Sequence, residues 1–306
     1  MKKVLVVYFT QTGQLKQIID SALSPLENNP DVQVTYEQLR PVAGYSFPWK
    51  SVEFFDVFPE SVEGIPCGLR TCSFDPDDDY DLVVLAYQVW YLSPSIPFAS
   101  FLKTPEARQL IGGKNVITLL GVRNMWVMAQ EKVKNVVHGY GGKLVGNIVF
   151  FDRAPNLISI ITIMKWMSTG NKGPYKYLPG SGVSKEDIRE AARFGCTILE
   201  ALQKDRFNDL QKRLVSDGAV NLDYALIRME KTGVRIFKKW AKFILAKGTQ
   251  GDPNRLFRVR LFRIYLIFAV YTLSPVISLI FYFFRFFFKE TTERQMNYYY
   301  GTTPKA

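Results

Sequence analysis

Cysteine and histidine are scarce, with three Cys and one His in 306 residues. Thiols scattered at Cys67, Cys72 and Cys196 are too few for a disulfide framework, and Cys67 and Cys72 lack the further ligands of a zinc site. Reduced thiols in the cytoplasm and no bound metal are therefore expected. No secretory leader is expected, because residues from Lys3 run straight into a strand-like segment without a cleavage-site pattern. No recognised nucleic-acid reader motif accompanies the net charge of +11. That charge is unevenly placed. Residues 1–205 hold 21 Lys/Arg against 21 Asp/Glu, whereas residues 206–306 hold 18 against 7. Composition thus divides the chain into an expected domain 1–205 and a basic region 206–306.

Several short runs suit strands buried on both faces of a parallel sheet. They are residues 3–9 (KVLVVYF), 81–86 (DLVVLA), 115–120 (NVITLL) and 144–150 (LVGNIVF). Residues 32–39 alternate well enough for another strand. Helical spacing follows at Leu15, Ile18, Ile19 and Ala22, and over 125–138 and 184–203, where Ser184 and Asp187 form a capping-box-like start. Five strands alternating with helices predict an α/β, doubly wound sheet. Two connections are too long for such a fold, 41–80 and 152–183, and both are rich in apolar residues; long loops of this kind tend to be lids or binding loops.

The first βα turn reads Thr10-Gln11-Thr12-Gly13-Gln14-Leu15. Backbone N–H groups of a turn entering a helix converge on an anion, two hydroxyls add hydrogen bonds, and Gly13 permits close approach. With no lysine, this is neither a Walker loop nor a dinucleotide fingerprint. The T-x-T-G turn after a first strand resembles the phosphate loop of flavodoxins, which implies a flavodoxin-like fold and FMN as cofactor. In that fold the ligand lies at the switch between the first and third strands. The loops there contain Gln88, Val89, Trp90 and Tyr91, and Arg123, Asn124 and Trp126, so these residues join the turn as expected FMN contacts. Trp90, Tyr91 or Trp126 is the expected stacking ring.

The basic region ends in residues 264–284, 21 residues without a charge, flanked by Arg255, Arg258, Arg260 and Arg263 before and Arg285 and Lys289 after. About 20 apolar residues span a bilayer. The cations predict a cytoplasmic N-terminal side, with either a single span or a hairpin bent at Ser274-Pro275. Residues 227–245 mix Lys/Arg with Ile, Phe, Trp and Leu, as an interfacial helix on anionic lipid does. A membrane-lipid partner at the cytoplasmic face of the inner membrane is expected, and nucleic acid is not.

The flavodoxin-like start, the loop 87–95 (YQVWYLSPS) and the basic, apolar C-terminus together resemble the DarA-type condensing enzyme/aromatase family of dialkylresorcinol and flexirubin biosynthesis, over most of the chain. That resemblance implies a ketosynthase partner of the same pathway, which delivers a lipidic cyclic polyketide. It further implies oxidative aromatisation of an alkylated cyclohexanedione, or its carboxylate, to a dialkylresorcinol. FMN-dependent NAD(P)H:quinone reduction and membrane-tethered electron transfer are the alternatives. Candidate catalytic residues are Tyr91 and Asp152 near strand ends, His138 as the lone imidazole, and Arg123 as a partner for a carboxylate or enolate.

Overall fold

Every expected strand forms, each within two residues of its sequence-based limits. The computed structural model describes residues 1–273, 276 and 289–304. The strands β1 (Lys2–Tyr8), β2 (Val32–Gln38), β3 (Leu82–Tyr87), β6 (Asn115–Val122) and β7 (Lys143–Phe151) pair in parallel, in the order β2-β1-β3-β6-β7. β3 is buried at all six positions, as its unbroken LVVLAY run requires of a central strand. Counted within the large sheet this is order 2-1-3-4-5, the doubly wound arrangement with its switch between β1 and β3. The fold is flavodoxin-like.

Helices flank the sheet. α1 (Gln14–Glu27) buries Leu15, Ile18, Ile19, Ala22, Leu23 and Leu26, the stripe its spacing predicts. The segment 41–80 carries two short helices, α2 (Ser51–Asp56) and α3 (Phe58–Glu63). A hairpin, β4 (Val89–Trp90) and β5 (Ser93–Pro94), leads into α4 (Ile96–Phe101) and α5 (Pro105–Ile111). α6 (Val127–Gly139) precedes β7, and the segment 152–183 supplies α7 (Asn156–Thr169). The helix expected over 184–203 is two, α8 (Lys185–Arg189) and α9 (Ala192–Gln203); Ser184 Oγ accepts the Asp187 N–H at 3.0 Å, as the capping spacing predicts.

The change at 205/206 is one of charge; packing continues across it. α10 (Leu210–Ser216) lies on β7 and α9, and Leu210, Leu214, Val220 and Ile227 share the core of the sheet. α11 (Tyr224–Leu245) and α12 (Leu256–Phe268) dock on α2 and α3. Phe58 stacks on Phe262 with centroids 3.7 Å apart. At their base Arg255 is fully buried, donating from Nε to Asp56 Oδ1 at 2.7 Å and from Nη1 to Glu60 Oε1 at 2.6 Å. α13 (Lys289–Tyr300) returns to the sheet domain: Tyr298 OH donates to Glu131 at 2.5 Å, and Gln211 Nε2 to the Tyr300 carbonyl at 2.8 Å.

Of the uncharged run 264–284, residues 264–268 close α12 and 269–273 form a π-helical turn. Apart from Val276, the rest, including the Ser274-Pro275 bend, lies outside the described residues. Among the described residues no helix is long and apolar enough to cross a membrane.

Candidate functional site

At the switch point the carboxyl end of β1 delivers the turn into α1. Gly13 has φ +81°, a conformation costing another residue ~1–2 kcal/mol, while the space around a Cβ there is open. Thr10 Oγ1 accepts the Gly13 N–H at 3.1 Å, and Thr12 Oγ1 lies 3.4 Å from the Gln14 nitrogen. No side chain caps α1 and its first turn holds no acid, so the positive helix end is left for an external anion. Leu15 is 1% exposed and offers only its backbone. The Gln14 side chain is occupied elsewhere, since its amide exchanges hydrogen bonds of 3.1 and 2.9 Å with the Val183 backbone. Gln11 N–H donates to Gln88 Oε1 at 3.3 Å, tying the turn to the β3 loop.

Beside the turn lies a cavity of about 220 Å³, lined by Gln11, Thr12, Gln88, Trp90 and Arg123 and closed by Trp49 and Trp166 from the two insertions. Trp90 is held in an aromatic cluster with Phe9, Tyr45 and Trp49 at centroid distances of 5.9, 5.1 and 5.7 Å. It is the last residue of β4, before the hairpin's two turn residues, Tyr91 and Leu92, which have φ +48° and +61°. Such turns ordinarily use Asn or Gly. The strain, ~1–3 kcal/mol per residue, is held by the insertion: Tyr91 OH donates to the Phe54 carbonyl at 2.6 Å, with rings Phe54 and Phe58 at 5.4 and 5.1 Å.

The expected proton-transfer residues are not gathered at this cavity. Tyr91 borders it, but its hydroxyl proton is committed to Phe54 and burial pushes the phenol well above the usual tyrosine range, so it is no base near neutrality. Asp152 is 4% exposed and saturated by three donors, Ala154 N–H at 2.9 Å, Ser159 Oγ at 2.8 Å and Gly182 N–H at 3.2 Å; it fixes the start of α7. His138 is eleven residues along α6 from its first residue, ~17 Å at 1.5 Å per residue, and its Nε2 meets the Thr302 carbonyl at 3.0 Å. Trp126, just before α6, is buried and lines a different cavity from this one. Asn124 also turns aside, with Nδ2 donating to Asn156 Oδ1 at 2.7 Å.

Arg123 is the exception. Its guanidinium borders the 220 Å³ cavity and a second one of about 350 Å³. Its hydrogen bonds go to neutral oxygens of Asn156, the side-chain one at 2.6 Å, and burial lowers its pKa to about 10, leaving it charged at neutral pH. The second cavity also shares Phe54, Val89, Tyr91, Ile163 and Met164 with the first, and continues between α7, α11 and α12. Its walls are apolar. Among these walls, Phe54, Ile160, Ile163 and Met164, with Trp49 and Trp166, come from the two insertions, whose sequence marks them only as long and greasy.

Another residue invisible in the sequence pattern is Glu230. It reaches from α11 to accept the Trp126 and Met128 N–H groups at 2.9 and 2.8 Å, capping α6 from outside. Burial raises its carboxyl to about 7. It lines another cavity, of about 770 Å³, which lies beyond β7 and lacks the turn. The smaller cavity is taken as the site because it joins the turn to the switch point.

No family model and no curated protein matches the chain. Solved structures do resemble it. A flavoprotein from Lactobacillus acidophilus in complex with FMN is 15% identical, covering 49% of this chain and 93% of that one, with a TM-score of 0.38. A flavodoxin from the domain Archaea is 15% identical over 66% of this chain and 99% of its own, with a TM-score of 0.34. A flavone reductase is 13% identical, covering 66% and 64%, with a TM-score of 0.35. The strand order, and not these likenesses, carries the fold assignment.

Proposed function

We propose that this chain is an FMN-dependent oxidoreductase that oxidises a lipidic ring, converting an alkylated cyclohexanedione or its carboxylate to a dialkylresorcinol. The observation that carries the proposal is the junction at Arg123, where a cavity beginning at a Lys-free, uncapped phosphate-type turn meets an apolar cavity. The residues fit FMN: the open end of α1 with the hydroxyls of Thr10 and Thr12 suits a phosphomonoester, and Trp90 offers an aromatic wall.

Bound FMN would supply a two-electron acceptor for the ring. The chain's own residues have other tasks. Aromatising the dione removes two electrons and two protons, plus carbon dioxide where a ring carboxylate is lost. A 1,3-dione is itself acidic, so it needs a cation for its enolate more than a strong base. Arg123 provides that charge, and the aromatic and apolar walls exclude water and strengthen it. No carboxylate or imidazole is needed at the cavity, and among the described residues none lines it.

Membrane association belongs to the same reading. On α11, Arg235, Lys238, Lys239 and Lys242 are exposed, and Phe257, Ile264 and Phe268 on α12 are 70%, 66% and 57% exposed, a pairing suited to anionic lipid. Because α13 packs on α6, both described ends of the intervening segment attach to one folded unit. That favours attachment from one side, at the cytoplasmic face of the inner membrane, over a single span with an outside tail.

The test is a single turnover without oxygen. FMN-loaded protein mixed with the ketosynthase's cyclic product should bleach and yield the resorcinol by mass spectrometry, and Arg123→Gln should slow it at least tenfold. Bleaching by NAD(P)H with no response to the ring would replace this reading with the quinone-reductase one. Reduction only through a protein partner would favour the carrier.

A further inference from the structure

We infer that the 350 Å³ cavity between α7, α11 and α12 is an acyl-chain site: it takes one unbranched alkyl chain of an anionic amphiphile, head group at Arg123, and Gly233 sets the chain length admitted. The inference deepens the reading above, on which the identity of the oxidised ring rests, and shares its junction at Arg123; the wall around Gly233 and the outer end of the cavity are its own observations.

The cavity is built as an amphiphile would require. At its inner end Arg123 faces the junction with the first cavity, and its hydrogen-bond partner is the neutral Asn156. The guanidinium is half-buried and hydrogen-bonds to neutral oxygens, with Asp152 and Glu230 acting on it from longer range, so an anionic head group can still pair with it directly. Beyond it the walls are Ile160, Ile163, Met164, Met229, Ile236 and Leu266, with methionines that adapt to a flexible chain. The outer end is bordered by Ala269 and Val270, in the turn flanked by the exposed side chains of Phe268 and Tyr271. An alkyl chain can therefore enter from an apolar surface while its charged end is drawn to Arg123. The volume lies within the ~300–1,000 Å³ of small-molecule sites.

Gly233 stands at the middle of this wall, in the interior of α11. Its backbone is ordinary helix, and glycine there costs ~1 kcal/mol relative to alanine. Even a single carbon added at this position would sit 2.9 Å from Leu92 Cδ1, on the strained hairpin. A larger side chain must therefore fill the cavity or displace Leu92. Keeping glycine leaves room for the ligand at a cost in helix stability.

The experiment uses the full chain saturated with FMN, and fluorescence titration with a dansyl-labelled undecanoic acid and its hexanoic counterpart. Wild type should bind the long acid and bind the short one at least tenfold more weakly. Gly233→Leu should cut long-acid affinity at least tenfold and leave the short acid within about twofold. Arg123→Gln should weaken the acid but not the alcohol of equal length. Should Gly233→Leu fold poorly, as judged by circular dichroism, wild type photolabelled with a diazirine-tipped alkyl acid decides, with modification expected on α11 or α12. Absence of long-acid binding, indifference to both substitutions, or labelling elsewhere would overturn the site. Loss of FMN binding with the acyl site intact would instead sink the flavin reading and leave this one standing.

Discussion

Two buried side chains decide how the C-terminal helices are held. Arg255 meets Asp56 and Glu60 across nearly 200 residues of sequence, at 0% side-chain exposure. Removing one partner of such a group leaves uncompensated charge, a loss of ~3–5 kcal/mol. Arg255→Met should lower the urea midpoint accordingly, with Trp240 fluorescence reporting early release of α11 and α12; an unchanged midpoint would show the triad to be idle. Glu230 gives a pH signature. Its carboxyl titrates near 7 in the folded chain against an ordinary 4.5, so between those values the folded state keeps a proton that the unfolded state has lost. Stability therefore falls as pH rises through that window, by about 3 kcal/mol at most. Denaturant titrations at pH 5 and pH 8 should show this loss in wild type and a smaller one in Glu230→Gln. Equal losses would assign the effect to other groups. Glu230 was not legible in the sequence, and Arg255 was read there as a cation flanking the apolar run when it is buried against Asp56 and Glu60; each acts through a partner far along the chain. Trp90 and Trp126 looked equivalent there, both just past strand ends; only the hairpin turns one into the cavity while α6 takes the other.

Elements were more legible than contacts. The parallel strands announce themselves because burial on both faces leaves unbroken apolar runs, and the phosphate-type turn because hydroxyls and glycine fall where β1 meets α1. The insertions were visible only as excess length. α2 and α3 pack against α12 and α11, a contact that no local period records. The same holds for the approach of α1 to α9, which depends on Gly195: a carbon added there would meet the Ala22 carbonyl at 2.1 Å and Pro25 at 2.7 Å. Gly195→Ala must push two helices apart, an overpacking cost of ~1–3 kcal/mol or more. Its melting temperature should drop by several degrees, with the end of α1 loosened in hydrogen exchange. A variant as stable as wild type would mean that α9 slides freely.

At the scale of the whole molecule, a neutral sheet domain and a basic, apolar helical region share one core, and the proposed site forms where they meet. Lipid association is expected from the cationic face of α11. Each lysine near anionic lipid contributes ~1 kcal/mol, so Lys238→Gln, Lys239→Gln and Lys242→Gln together should weaken flotation with phosphatidylserine vesicles roughly 100-fold. Unaltered flotation would move the contact to another surface. Everything chemical rests on the cofactor at the first turn. Calorimetric titration of full-length protein with FMN tests it most directly, in wild type and in Thr12→Glu, which sets a carboxylate where the phosphate belongs. The account predicts one FMN per chain in wild type and at least 100-fold weaker binding in the variant, with both folded by circular dichroism. Folded wild type that takes up no FMN, or a variant that binds as tightly, would contradict it.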